Sequence, residues 1–401
     1  MTDSSAPKLS LFQLSACSGV SPFALVVVAP MLPELRTVFD ESEVRLQYIV
    51  SAYLLGLALA QSILGPLSDK YGRKQVLSLS LLVYAAASLA CALSLTLDVL
   101  IAARFVQACG AAGTAALCRA MVHDVHEGDV AARYMAYIAM ATSIAHSIAP
   151  LVGGYAADVV GWRGVFYSLA ILGAVMFAWT ALSLPETRSP SKRTHMGVHK
   201  LLLNNALMMK SPLFLTYTLI YGLTAAPFFA FLGVAPAFFA DRLSITGAEF
   251  GLYWSYMAVS FLLGALLSAR LIPKLGRSAL VRIAAVAIVL LGVAQPAVLI
   301  VFDISVFWMI APLVVLSLAL GMAQPIALSG AIGQFPDMAG TASGLCGTLI
   351  MVLASIMTVL SAAVYDGTAI SLMSPISLTM IVIGGLYALS LKLESLKLTE
   401  R

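Results

Sequence analysis

The sequence predicts an all-α integral membrane protein, and three observations carry that prediction. Hydrophobic residues make up 61% of the chain and charged residues only 10%, whereas a soluble domain carries roughly 25% charged residues. The charges gather in short clusters between apolar stretches of about 18 to 25 residues, each long enough at about 1.5 Å per residue to cross most of a ~30 Å hydrocarbon layer. The basic residues fall almost entirely in alternate clusters, as they do in a chain that crosses a bilayer repeatedly with a fixed orientation. Backbone in lipid must satisfy its own hydrogen bonds, so these stretches are read as helices; barrel strands would be shorter and would alternate in polarity.

Twelve spans follow in order: 11 to 33, 46 to 66, 76 to 96, 99 to 121, 133 to 157, 164 to 184, 212 to 238, 248 to 271, 279 to 302, 307 to 330, 339 to 364 and 371 to 391. The first lacks the basic region and small-residue cleavage site of a removable signal, so it is expected to stay as a helix. The second and third form a hairpin around Gly65 to Leu77, where four charges and two glycines separate two apolar runs. Gly65 and Gly72 are expected to let the backbone turn there and approach its neighbours. After the sixth span, Pro185 to Lys210 is the one long polar interruption, mixing Ser, Pro, Lys, Arg, His and Asn. It divides the chain into an N-terminal six-helix bundle (1–184), a linker (185–211) and a C-terminal six-helix bundle (212–401).

Alternating the loops between the two sides places eighteen basic residues with the Gly65 to Leu77 turn, the linker and both termini. Only Arg36, Arg45, Arg163 and Arg242 fall opposite, and Arg104 stays inside a span. That excess puts the linker and both termini in the cytoplasm of a cell inner membrane. The formal charge of +4 therefore reports orientation and not a nucleic-acid partner. The five cysteines lie in apolar stretches without metal-ligand spacing and read as small buried hydrophobes, so no metal or cofactor is expected.

The halves echo each other. Leu67 to Arg73 reads L-S-D-K-Y-G-R, and 204 residues later Leu271 to Arg277 reads L-I-P-K-L-G-R, at the corresponding turn of the second half. Parallel six-helix repeats of this kind are a transporter arrangement, with substrate bound near the membrane midplane.

Gly65-x-Leu67-x-Asp69-Lys70-x-Gly72-Arg73-Lys74 resembles the loop signature of the major facilitator superfamily, the twelve-helix secondary transporters. The resemblance implies two pseudo-symmetric six-helix bundles. It also implies a network in which Asp69 pairs with basic groups or with a helix N-terminus on the cytoplasmic side, closing the inner face until the halves rock. Arg104-Phe105-Val106-Gln107-Ala108-Cys109-Gly110-Ala111-Ala112-Gly113 resembles the family's second motif, whose intramembrane arginine faces the central cavity, while Gly110 and Gly113 serve helix packing. A helix starting near Asp98 would carry Arg104 about 9 Å inward, a depth also open to an interfacial anchor that snorkels. Ala149-Pro150-Leu151-Val152-Gly153-Gly154 is similar to the exporters' motif, with Ala149 where a glycine is expected; Pro150, Gly153 and Gly154 would allow a kink and a close contact at an outer gate. Gly321 and Pro325, Ala339 to Gly344, and Leu184-Pro185-Glu186-Thr187 resemble the bicyclomycin- and chloramphenicol-resistance (Bcr/CflA-like) branch of the drug:proton antiporters.

One departure stands against these matches. That branch commonly carries a first-helix aspartate in D-x-x-x-P-x-L-P, and the run here is Val26 to Pro33, with Val26 unable to take a proton. All nineteen acidic residues lie in loops or within a turn or so of a helix end, Glu34 being the nearest to an outer cavity mouth. His146, four residues before Pro150, titrates near neutral pH and suits a proton relay or a polar substrate contact; a neutral histidine bonded across helices is the other reading. Arg104, Gln107 and His146 are the polar candidates for the cavity. Tyr53, Phe228 and Gln324, with Phe23, Tyr221, Phe229, Tyr253 and Tyr256, lie on helices that line it in the family. A cavity without carboxylates disfavours lipophilic cations and suits neutral or anionic amphiphiles.

The sequence thus predicts a secondary active transporter, acting as a monomer, that exports small amphipathic compounds or drugs by alternating access in antiport with protons. The alternative is a facilitator or uptake transporter for a specific metabolite, suggested by the missing carboxylate. An enzyme or receptor is disfavoured, because the loops are short and show neither a nucleophile and base nor a metal cluster.

Overall fold

The computed structural model describes residues 9–126, 128–188, 198–302, 304–335 and 338–399. Lys8, Lys192, Arg193 and Arg401, assigned above to the basic face, lie outside them, as do residues 189–197 of the linker.

The first span is broken. Helix α1 (Leu11–Val26) gives way to a 3-10 turn (Ala29–Met31) and then to α2 (Leu32–Phe39), because Pro30 and Pro33 offer no N–H to the helical ladder. Helices α3 (Glu43–Tyr71) and α4 (Arg73–Ala92) meet at Gly72 alone, at φ +105°, a conformation open to glycine and strained for other residues. The turn is tighter than the sequence reading, and Gly65 is corrected by it. Gly65 lies inside α3 with no neighbouring atom within 4 Å of where a Cβ would stand, so it neither turns the chain nor brings a neighbour close.

Helix α5 (Leu97–Val125) starts on Thr96, whose hydroxyl accepts the Val99 N–H at 3.4 Å. The fifth and sixth spans form α6 (Gly128–Ser183), two arms joined at Gly161, where φ is +70°. Its apolar part covers 51 residues, roughly 77 Å at helical rise against a ~30 Å core. It therefore crosses twice, and the eleven apolar helices long enough to span make twelve crossings among the described residues.

The linker holds a helix that the sequence reading did not anticipate, α7 (Val198–Met209). The seventh span, like the first, is interrupted: α8 (Pro212–Leu223) and α9 (Ala226–Leu243) are separated at Thr224 and Ala225, just before Pro227. Helices α10 (Gly247–Leu275) and α11 (Arg277–Val301) meet at Gly276, φ +76°, repeating the Gly72 junction. Helices α12 (Val306–Ile332), α13 (Ala339–Val364) and α14 (Ala369–Thr399) complete the chain.

The helices form two compact units, Met1–Asp40 with Ala52–Val198, and Glu41–Ser51 with His199–Arg401. The opening residues of α3 thus belong to the second unit, where the Gln47 amide donates to the Gly233 carbonyl and the Ser355 hydroxyl donates to the Ser51 carbonyl at 3.1 Å.

Lipid is as apolar as leucine, so helices in a bilayer associate by close packing at small residues. In the first unit Gly19 of α1 faces Ala145 of α6, and Gly153 of α6 lies against the Val27 carbonyl. Gly110 of α5 abuts the Tyr84 backbone N, and a Cβ there would stand 2.7 Å from the Ser80 carbonyl of α4. In the second unit Gly264 of α10 and Gly321 of α12 rest reciprocally on the carbonyls of Leu318 and Phe261. Adding one methyl separates the two kinds of glycine. Gly110→Ala should lose about 1–3 kcal/mol to overpacking, whereas Gly65→Ala should be neutral or gain about 0.5–1 kcal/mol in helix propensity; thermal unfolding in detergent reads both.

The turn before α14 is capped by Asp366, whose carboxylate accepts the Thr368 N–H at 3.0 Å and hydroxyl at 2.7 Å. Bonds from Ser371 and Thr368 hold its carboxyl down to about 2. A carboxyl depressed on folding stabilises the fold above its unfolded value near 3.8 and loses that contribution as pH falls through the folded value. Amide exchange at the start of α14, corrected for intrinsic rate, should be flat from pH 8 to 5 and accelerate only below about pH 4.

Candidate functional site

Arg104 is the eighth residue of α5, roughly 10 Å along its axis, and its exposure is 0%. The guanidinium turns inward: Nη1 donates to the Ala24 carbonyl at 3.0 Å and to Gln107 Oε1 at 2.6 Å. Gln107 follows by three residues and so shares its helix face. Its amide passes the connection on, donating to Ser88 Oγ at 2.7 Å, and the Ser88 hydroxyl donates to the Tyr84 carbonyl at 2.7 Å. The Tyr53 ring covers the guanidinium, with its centroid 4.1 Å from Cζ, and the Tyr53 hydroxyl donates to the Ser21 carbonyl at 3.2 Å. Phe166 lies further off at 5.9 Å. A planar, weakly hydrated guanidinium suits such stacking better than an ammonium would.

Packing explains why these groups meet. Gly56 of α3 fits against the Phe105 carbonyl and Ala108 of α5, where a Cβ would stand 2.5 and 2.8 Å away. That close approach sets Tyr53, one turn earlier, over Arg104. Gly110 does the same for α4, bringing Ser88 within reach of Gln107. Ala24 lies near the end of α1, just before the chain leaves helical geometry.

The second unit holds a quieter counterpart. Gln324 of α12 donates to Thr224 Oγ1 at 3.3 Å, at the break between α8 and α9, and the Tyr387 hydroxyl donates to the Ala323 carbonyl at 3.0 Å. Phe228 packs edge-on to Trp254 and Phe261, with centroids 6.2 and 5.5 Å away. In each unit, the fourth spanning helix carries a polar side chain that bonds to the interrupted first one.

Other sequence candidates lie elsewhere. Tyr253 and Tyr256 line an open groove of ≈ 870 Å³ between α10 and α12, with Ser260 and Phe307. His146 is half-buried on α6, next to the Ala145 that meets Gly19. Glu34 lies beside the Gly161 kink, its Oε1 3.8 Å from where a Cβ would stand there, and next to it Arg163 stacks on Trp162 at 4.1 Å and donates to the Ser94 carbonyl at 3.1 Å. Pro150 and Gly154 are buried within α6, whose helix continues past Pro150 to Gly161. Gly113 packs on Ser80, whose hydroxyl would lie 2.6 Å from an added Cβ.

The end of the first unit that carries Gly72 holds a box of charges. Arg73 Nη2 pairs with Asp69 at 2.7 Å and its Nε with Asp124 at 3.0 Å, while Arg188 stands 3.7 Å from Asp69 and 3.5 Å from Asp124. The Glu186 carboxylate accepts the Arg73 and Lys74 backbone N–H groups at 2.9 and 3.2 Å, capping the positive end of the α4 dipole. Thr187 Oγ1 donates to Asp124 at 3.0 Å. Asp124 and Arg188 were not singled out in the sequence, and Glu186 and Thr187 entered only through their motif. No spacing rule links residues 51 to 119 positions apart, and only the fold brings them together.

The profile described as Major Facilitator Superfamily matches residues 14–359. The chain belongs to that superfamily. It is accordingly a multi-pass membrane transporter of small molecules and not an enzyme. The chain is similar to the bicyclomycin resistance protein homolog of Haemophilus influenzae, 25% identical over 90% of this chain and 90% of the relative. It is also similar to the chloramphenicol resistance protein of Pseudomonas aeruginosa, 28% identical over 84% of this chain and 78% of the relative. Among solved structures the nucleoside transporter NupG superposes with a TM-score of 0.75 over 96% of this chain and 100% of its own, at 16% identity, a likeness of fold alone.

Removing one carboxylate tests the box. Asp124→Asn leaves two guanidinium groups facing Asp69 and should cost about 1–3 kcal/mol. Adding Arg188→Gln should recover part of that loss, a coupling that a double-mutant cycle on thermal unfolding measures.

Proposed function

We propose that this transporter exports small amphipathic compounds, neutral or anionic, by alternating access, with protons moving the other way. The observation that carries the reading is the buried Arg104, a fixed cation dressed by Gln107 and Tyr53 at membrane depth. A positive site in low dielectric favours neutral and anionic ligands over cations. The composition of the surrounding helices supports this: α1 and α4 carry no Asp or Glu, and those of α3 and α5 stand at their ends. The relatives named for bicyclomycin and chloramphenicol resistance support export of drug-like compounds. The excess of basic residues on one set of loops supports an inner-membrane orientation with both termini in the cytoplasm.

Proton coupling needs a group that titrates between the two access states, and His146 takes that role in this reading. Val26, fully buried where an acid is expected, favours the second reading, a facilitator that needs no coupling group. Reconstituted vesicles separate them. Under an imposed pH gradient, export should concentrate an anionic fluorescent amphiphile, and a protonophore should abolish the concentration. His146→Ala should flatten the pH dependence between pH 6 and 8. Flux that is indifferent to the protonophore would make the protein a facilitator.

A further inference from the structure

Helix α7 exposes Leu203 and Leu207 at 54% and 49%, one turn apart, with exposed Ala206 and Lys210 on the same side at helical spacing. Met208, on another side, is fully buried in its unit. Such a stripe in water would leave apolar surface exposed for no gain. The chain places it elsewhere. Only Lys210 and Ser211 separate α7 from α8, whose first residue, Pro212, opens the membrane span Pro212–Leu243. That connection reaches about 10 Å at full extension, so the last turn of α7 stays at the bilayer boundary.

Charge identifies which surface it meets. Residues 198 to 210 include Lys200 and Lys210 and no Asp or Glu, and Lys192 and Arg193 precede them. A short helix with apolar residues on its free side, cationic and tethered at the boundary, fits the interface, where lysines sit among anionic headgroups and their stems cover apolar surface. We propose that α7 lies in the plane of the membrane surface, with Leu203 and Leu207 among lipid chains and Lys210 on anionic lipid headgroups.

Spin labels at Leu203→Cys and Leu207→Cys in the full chain, native cysteines replaced, test this in vesicles of phosphatidylcholine with one-third phosphatidylglycerol. Both labels should collide with oxygen and be shielded from a water-soluble nickel chelate. The ratio should fall severalfold in pure phosphatidylcholine and in Lys200→Gln/Lys210→Gln. A second measurement needs no variant: amide exchange over residues 198–209 of the wild-type protein should be severalfold slower with phosphatidylglycerol than without. Labels open to the nickel chelate, labels broadened by a second copy of the chain, or exchange indifferent to lipid charge would each overturn the proposal.

Discussion

A guanidinium roughly 10 Å into an apolar helix bundle has no water to hydrate it, and the first unit is arranged around meeting that need. Its partners come from helices that must approach closely to deliver them. Ala24 supplies a carbonyl near the end of α1, Gln107 supplies an amide oxygen from the next turn of α5, and Tyr53 supplies a ring face from α3. Gly56 and Gly110 set the helix separations that make these contacts geometrically available. Small residues, the interrupted first span and the buried cation therefore form one dependency: a side chain at Gly56 or Gly110 would separate the arginine from what stabilises it.

The water-facing end of the same unit follows different physics. Arg73, Arg188, Asp69 and Asp124 neutralise each other at partial exposure, and Glu186 adds a cap on α4. There the charges hold a single-glycine turn and the start of the linker in place. The interior centre carries one sign of charge, enclosed by a carbonyl, an amide and a ring; the box carries both signs at partial exposure.

Much of this was legible in the sequence for a physical reason. Lipid forces span length and apolarity, so the helices, the Gly72 turn and the repeat at Gly276 show in hydropathy and spacing alone. Asp69 was readable as a partner for basic groups, but not which ones, because Gly72 breaks the helical path between it and Arg73. The main-chain breaks at Val27 to Val28 and at Thr224 to Ala225 were not, since Pro30 and Pro227 are compatible with a merely kinked helix. The acceptor of Arg104 is a backbone carbonyl, which no side-chain pattern reveals. Asp124 and Glu186 join Arg73 from far along the chain, and α7 was hidden by the polar residues on either side of it. Gly65 misled because a glycine in a motif need not be the glycine that turns.

The central claim is that Arg104 is the charge a ligand meets. Its most direct test is equilibrium binding of one aromatic scaffold in anionic, neutral and cationic forms to the purified protein and to Arg104→Gln. The account predicts that the anionic form binds tightest to the wild type, by about tenfold or more over the cationic form (~1.4 kcal/mol), and that Arg104→Gln erases the preference. A cationic form that binds best, or an order unchanged in Arg104→Gln, would contradict it.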